Sequence, residues 1–240
     1  MSYRRSRARR AFESQLDQAL TELAPLHRFA LKTGAGGGSR LLAAYYVFAF
    51  AQLELYVKTF VEDSLNAVSV SGPRIEKWPD LMLAYVLHKG ENLGTNYRKF
   101  GINEDEGAIL EQVAQTARKI AAWNAGGGIP IALDAAAFLE KKKYPSPKNL
   151  PQLFRRLGVK KIWAVVSAAG RMNSELILTS LNDLRTDIAH EGKVPPGFGF
   201  SDFRDRLDQM RRFVAALDRG VSTHFCTGVM PRTTWNRAVV

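Results

Sequence analysis

The sequence predicts an all-α fold, on three observations. Apolar residues recur at spacings of three and four along extended stretches, glycine-rich breaks separate those stretches, and strand signals are few, with "KIWAVVS" the one ambiguous segment. The chain has 240 residues and 46% hydrophobic content, enough for a sizeable core in one large helical domain or two small ones. Its organisation reads as a basic N-terminal tail with a leading helix over 1–38, a helical domain over 39–220 and a C-terminal tail over 221–240.

"AFESQLDQALTELAPLHRFALK" reads as the first helix, bent or divided at Pro25. "TGAGGGS" breaks the pattern at 33–39; it lacks the Lys-Ser/Thr of a P-loop and is a connection. From Arg40 to about Asn66 runs the strongest core candidate, apolar on nearly all sides at first and amphipathic later, which suits the central helix of a bundle. Glu54 lies inside it. A buried, unpaired carboxylate is costly, and the plain reading puts Glu54 against solvent or a subunit boundary. A further helix is expected around Ile75–His88. "NEDEGAILEQVAQTARKIAAW" starts acidic and ends basic, in keeping with the helix dipole, and "NAGGGIP" closes it. "IALDAAAFLEKK" suits a short helix and "YPSPKN" a loop, and Pro151 is tolerated near the start of the helix carrying "QLFRRLG".

The last third carries the clearest pattern. Ile177, Leu181, Leu184 and Ile188 form a stripe that Gly192 ends as a C-cap. Ser201 suits an N-cap and Gly220 a helix end, with Phe203, Leu207, Met210, Val214 and Leu217 between them; the two helices should pack antiparallel.

The net charge is +11, and its placement matters more than its size. Residues 1–10 carry five Arg and no acid, and residues 141–170 carry eight Lys or Arg and no acid, so the remaining body is close to neutral. Such segments attract phosphate backbones, with Lys141, Lys142, Lys143, Arg155, Arg156, Lys160 and Lys161 the candidate contacts; solubility and a disordered tail are the plainer alternative. One cysteine, Cys226, rules out an intramolecular disulfide framework and suits a reducing, cytoplasmic setting. The basic N-terminus lacks the apolar stretch of a signal peptide, and the run "LLAAYYVFAFA" falls short of the roughly 20 residues of a membrane span. His27, His88 and His224 form no H-E-x-x-H pattern, so neither a metal nor another cofactor is expected. "HFC" reads as packing rather than a nucleophile pair.

The chemistry concentrates in "LNDLRTDIAHEGK", Leu181 to Lys193. With Ile177 at zero, Leu181, Leu184 and Ile188 fall at about 40°, 340° and 20° around the helix, Arg185 at about 80° and His190 at about 220°. His190 therefore points away from the core stripe. One reading makes the pair a surface helix end favoured by the dipole. The other makes it a site. Arg holds a phosphate through a planar fork of donors, and His moves a proton near neutrality. Together they could cleave RNA without metal through its own 2′-OH, giving a 2′,3′-cyclic phosphate and a 5′-OH. About 140° and roughly 7.5 Å of rise separate them, so one pair makes a sparse site; a two-fold dimer could bring two pairs together across a cleft. Asp187, one turn before His190, could orient the ring or be a surface acid.

At these residues the chain resembles a family. "LRTDIAHEG" is similar to the Arg–polar–x–x–x–His signature of the HEPN superfamily, the higher eukaryote and prokaryote nucleotide-binding domains. "YYVFAFAQLELYVKTFVED" resembles its early helix with an acidic residue, and "YPSPKNLPQLFRRLGVKKIW" the segment before the Arg-His helix in the RiboL-PSP branch. The resemblance implies a HEPN-like helical bundle with additional helices, a homodimer with an interfacial cleft, and metal-independent endoribonuclease activity of the kind used by toxins and antiviral defence systems. A toxin would bring an antitoxin or other inhibitory partner. Arg185 and His190 match the catalytic pair, and Glu54 falls where an acid contributes to the cleft. Thr186 stands where the family usually has Asn, keeping a hydroxyl for RNA but losing the amide. Two other functions stay open: a non-catalytic RNA- or nucleotide-binding HEPN domain, and a helical partner domain whose basic faces meet another protein.

Overall fold

A computed structural model describes residues 2–33, 37–72, 74–86, 118, 133–142 and 144–240. Among the described residues the structure is helical with no strand, in accord with the all-α expectation. The principal helices are α1 (Arg7–Thr33), α2 (Gly37–Ser71), α3 (Ala135–Leu139), α4 (Asn149–Arg156), α5 (Ile162–Gly170), α6 (Ser174–Glu191), α7 (Phe200–Gly228) and α8 (Arg232–Val239). A 3-10 turn at Ile75–Lys77 and a helical segment over 80–86 take the place of the single helix expected there. The acidic-to-basic helix expected over 103–123 and the break at 124–130 lie outside the described residues, Arg118 apart.

α2 is the axis of the molecule. Tyr46, Phe50, Leu53, Val57, Phe60 and Val61 are all buried, and α1, α3, α6, α7 and α8 pack on it. By length and composition it would suffice to cross a membrane, but its aromatic and branched residues fill this core instead. α1 runs through Pro25, which ends no helix although it has no N–H to give to the helical ladder. Phe12, Leu16 and Leu23 face α2 from α1. "KIWAVVS" resolves as α5, its β-branched residues packed between helices.

α6 carries the Arg185–His190 stretch. Asn173 caps it by accepting from the Leu176 N–H at 3.1 Å, and Gly192 closes it in the left-handed region at φ 69°, donating to the Ile188 carbonyl at 2.8 Å. The buried stripe is Leu178, Leu181, Leu184 and Ile188, and the half-buried Ile177 packs against the core at its edge. Arg206 of α7 reaches Ser180 of α6 at 2.8 Å across the 192–199 connection, as an antiparallel pair requires.

Two cap expectations fail for α7. It starts at Phe200, with Asp202 accepting from the Gly199 N–H at 2.8 Å, rather than at a Ser201 cap. It also passes through Gly220 to Gly228. Gly220 is a crossing point: a Cβ there would lie 2.9 Å from Val165 Cγ1 and 3.1 Å from the Val165 carbonyl oxygen on α5. Glycine ends helices by its backbone freedom, but here it is needed for its missing side chain. Residues 221–240, expected as a tail, complete α7 and form α8, whose Trp235 stacks on Phe225 with centroids 5.1 Å apart.

The N-terminal arginines are also drawn into the fold. Arg7 pairs with the buried Asp63 on α2, Arg9 with Glu13 at 2.7 Å, and Arg10 with the Val240 carbonyl. Tyr3 donates to the buried Asp218 at 2.7 Å, and Ser6 donates to it as well. The segment is thus an anchor to α2 and α7, in place of the disordered tail held open as one reading.

Candidate active site

Three elements converge around Arg185. The first is the loop after α3. Its backbone is fixed locally: the Ser146 N–H donates to the Tyr144 carbonyl at 2.9 Å, the Asn149 side chain donates to the same carbonyl at 3.2 Å, and the Asn149 N–H donates to Ser146 Oγ at 3.1 Å. Pro145 is buried beneath it. These bonds aim the half-buried Tyr144 ring inward. The second element is α2, whose fully buried Phe50 stacks on Tyr144 with centroids 5.4 Å apart. The third is α6, which supplies Asn182 and Arg185. The Tyr144 hydroxyl donates to Asn182 Oδ1 at 2.6 Å, and the Arg185 Cζ stands 5.1 Å from the Tyr144 ring centroid, within cation–π range.

Glu54, one turn beyond Phe50 on α2, faces the same cluster. Partial burial raises its carboxyl above the ordinary value, and the Arg185 charge opposes that shift. Burial likewise raises the Tyr144 phenol, with Arg185 lowering it and Glu54 raising it. These mutual fields tie Arg185, Glu54 and Tyr144 into one electrostatic group, though among the described residues Arg185 makes neither an ion pair with Glu54 nor any side-chain hydrogen bond. Tyr46, buried beside them, donates to the Leu181 carbonyl at 2.9 Å and fixes α6 against α2.

His190 stands apart. It is exposed on the last turn of α6, as the helical arithmetic places it, and makes no side-chain hydrogen bond among the described residues. Asp187 is exposed too. It lines an open pocket with Asp183, Pro195, Phe198, Asp202 and Arg206, and it is not bonded to His190. The Thr186 hydroxyl donates to the Asn182 carbonyl at 2.9 Å, so its proton is occupied within the helix.

The basic candidates divide by what surrounds them. Lys141, Arg155 and Lys161 are exposed. Lys160 is also exposed and lies 3.7 Å from Asp80. Lys142 donates to Asn149 at 3.4 Å. Arg156 braces the loop: it donates to the Phe138 and Glu140 carbonyls and stands 4.9 Å from the Tyr85 ring centroid. Lys143 lies outside the described residues. Among the described residues, no group of three or more His, Cys, Asp and Glu side chains is placed to hold a metal.

Tyr144, Asn182 and Phe50 are site neighbours that sequence reading passed over. Asn182 was within reach of it, being three residues before Arg185 and so on the same helix face. The Tyr144–Arg185 contact spans 41 positions and has no periodic signature.

The chain matches the RiboL-PSP-HEPN family over residues 14–223. It belongs to that family. The match takes in Glu54, Tyr144, Arg185 and His190. HEPN membership points to an RNA-related function of the nuclease class. No curated protein and no solved structure matches the chain.

Proposed function

We propose that this HEPN protein is a metal-independent endoribonuclease whose working unit is a homodimer. The observation that carries the proposal is the state of Arg185: a half-buried guanidinium held against an aromatic ring, its donors taken up by no acceptor among the described residues, on the helix that also exposes His190. Such a guanidinium is set to grip a phosphodiester by its fork. A neutral His190 takes the proton from a 2′-OH; the 2′-oxygen forms a bond to phosphorus; the P–O5′ bond breaks, and the departing O5′ takes a proton to become a 5′-OH. Charge on the phosphoryl oxygens falls to Arg185. Glu54 limits where the phosphate can sit by repelling it from the α2 side.

A single Arg–His pair is sparse, and the surface beside it supports a second copy as the completing element. Ala44, Val47, Phe48, Ala51 and Leu55 form an exposed apolar strip on α2, with Val47 and Phe48 each 39% exposed and Leu55 53%. Glu54 borders the strip. A two-fold axis through it sets two Arg185–His190 pairs across one groove, the second His190 serving as acid to the leaving oxygen. Lys141, Arg155 and Lys161 add sequence-independent phosphate attraction. A cytoplasmic toxin or defence effector restrained by a partner protein is the setting this chemistry suits.

The test is incubation of the purified protein with mixed RNAs in excess chelator. Cleavage that is lost in His190→Ala supports the reading. No cleavage by the parent, or equal cleavage by the variant, overturns it. One observation favours a second reading, an RNA-binding HEPN domain without catalysis: neither Asp187 nor any other described residue orients the His190 ring. That reading predicts salt-dependent RNA binding with the RNA left intact.

A further inference from the structure

The manner in which Arg185 is held has its own logic. A guanidinium at the surface is normally fixed by carboxylates or carbonyls, each of which takes up one or two of its five N–H donors. Arg156 in this protein is an example: it donates to two backbone carbonyls while lying over Tyr85. Arg185 is held differently. It lies over Tyr144, and among the described residues it donates to no acceptor. An aromatic face attracts the cation through its quadrupole and uses no donor. The ring in turn is fixed at three points. Phe50 packs against it, the Ser146–Asn149 turn fixes its backbone, and its hydroxyl is bonded to Asn182 on the same helix that carries Arg185. The bond to Asn182 keys the loop to α6 itself, so the ring follows the helix if α6 shifts.

We propose that Tyr144 is the positioning residue for Arg185, holding the guanidinium by its π-face and leaving its full fork of donors to an RNA phosphate. The catalytic consequence rests on the ribonuclease reading; the clamp itself does not. Loss of the ring frees the Arg185 side chain to sample other rotamers, so the effect falls on the rate of the bound complex and on phosphate grip together. The hydroxyl contributes the tie to Asn182, and the ring contributes the hold on the cation.

The experiment uses the full chain with Tyr144→Phe, Tyr144→Leu and Arg185→Ala, alone and combined, each checked for folding by circular dichroism and melting. Two readouts are taken. The first is the Arg185 side-chain N–H resonance in the free protein, shifted by the ring current of Tyr144. The shift is expected to persist in Tyr144→Phe and to vanish in Tyr144→Leu. The second is RNA cleavage. Tyr144→Phe should keep activity within about threefold, and Tyr144→Leu should lose about tenfold or more, the span a partly desolvated cation–π contact commands. In the Arg185→Ala background, Tyr144→Leu should cost nothing further. An Arg185 resonance indifferent to the ring overturns the clamp, whether or not the parent cuts RNA. A full additional loss in the Arg185→Ala background assigns Tyr144 a merely structural role and overturns the proposal as well. Loss of cleavage by the parent alone, with the resonance behaving as expected, counts against the ribonuclease reading and leaves the clamp standing.

Discussion

The two ends of the Arg-x4-His motif sit in opposite environments. Arg185 is half-buried over Tyr144, whose ring Phe50 backs, and within the field of Glu54, while His190 stands in solvent one turn and a half later with no described residue bonded to it. The difference assigns different duties. The arginine end is packed within one chain, and in the proposed account an RNA phosphate completes it. The histidine end needs something brought to it, and in the proposed account a second copy and the RNA supply that. It also teaches that two residues of one motif cannot be weighed alike: the same truncation should disturb packing at one end and only chemistry at the other.

His190→Ala should sharpen that contrast most. Loss of the proposed general base is expected to reduce cleavage by about 10²–10⁴-fold, while the melting temperature barely moves, since surface changes usually stay within about 0.5 kcal/mol. An equal fall in stability would break the comparison. At the arginine end the largest stability effect belongs to Phe50→Ala. Removing this fully buried ring beneath Tyr144 should cost about 3–5 kcal/mol in denaturant unfolding and loosen Arg185 with it. Gly220→Ala probes packing remote from the motif. Its new Cβ meets Val165 on α5, for about 1–3 kcal/mol of destabilisation, and cleavage by the folded fraction should stay at the parent level.

Smaller effects test the electrostatics. Glu54 has its folded pKa raised by burial, so the folded protein binds its proton more tightly than the unfolded chain. That contribution is fully present at pH below the ordinary carboxylic value of 4.5 and is lost as pH rises through the folded pKa above it. Stability of the parent relative to Glu54→Gln should therefore decline from about pH 4 towards neutrality; a relative gain over that range would mean Glu54 is paired rather than merely buried. Asp187→Asn, directed at the far side of α6, should leave both stability and cleavage within about twofold. A larger loss of activity would restore it as the group that orients His190.

How much of this was legible in the sequence depends on range. The helical class, the Leu181–Leu184–Ile188 stripe, the Gly192 cap and the outward direction of His190 follow from local periodicity and backbone preference, and the structure bears them out. Gly220 was misread because a glycine at a helix crossing and a glycine at a helix end look alike in one dimension. The N-terminal arginines suggested a free basic tail because Asp63 and the carboxyl terminus, which the fold brings to them, are far away in sequence. Tyr144 went unnoticed inside "YPSPKN" for the same reason: its partners Phe50 and Arg185 lie on two other elements.

The central claim is that RNA supplies its own nucleophile while Arg185 and His190 supply charge and proton transfer. The direct measurement is end-group analysis of cleaved RNA, made in chelator on a substrate and on its counterpart carrying a single 2′-deoxy nucleotide at the cleaved position. The account predicts 2′,3′-cyclic phosphate and 5′-OH ends from the first, and no cleavage at that position in the second. Ends bearing 3′-OH and 5′-phosphate, or undiminished cleavage of the deoxy substrate, would contradict it.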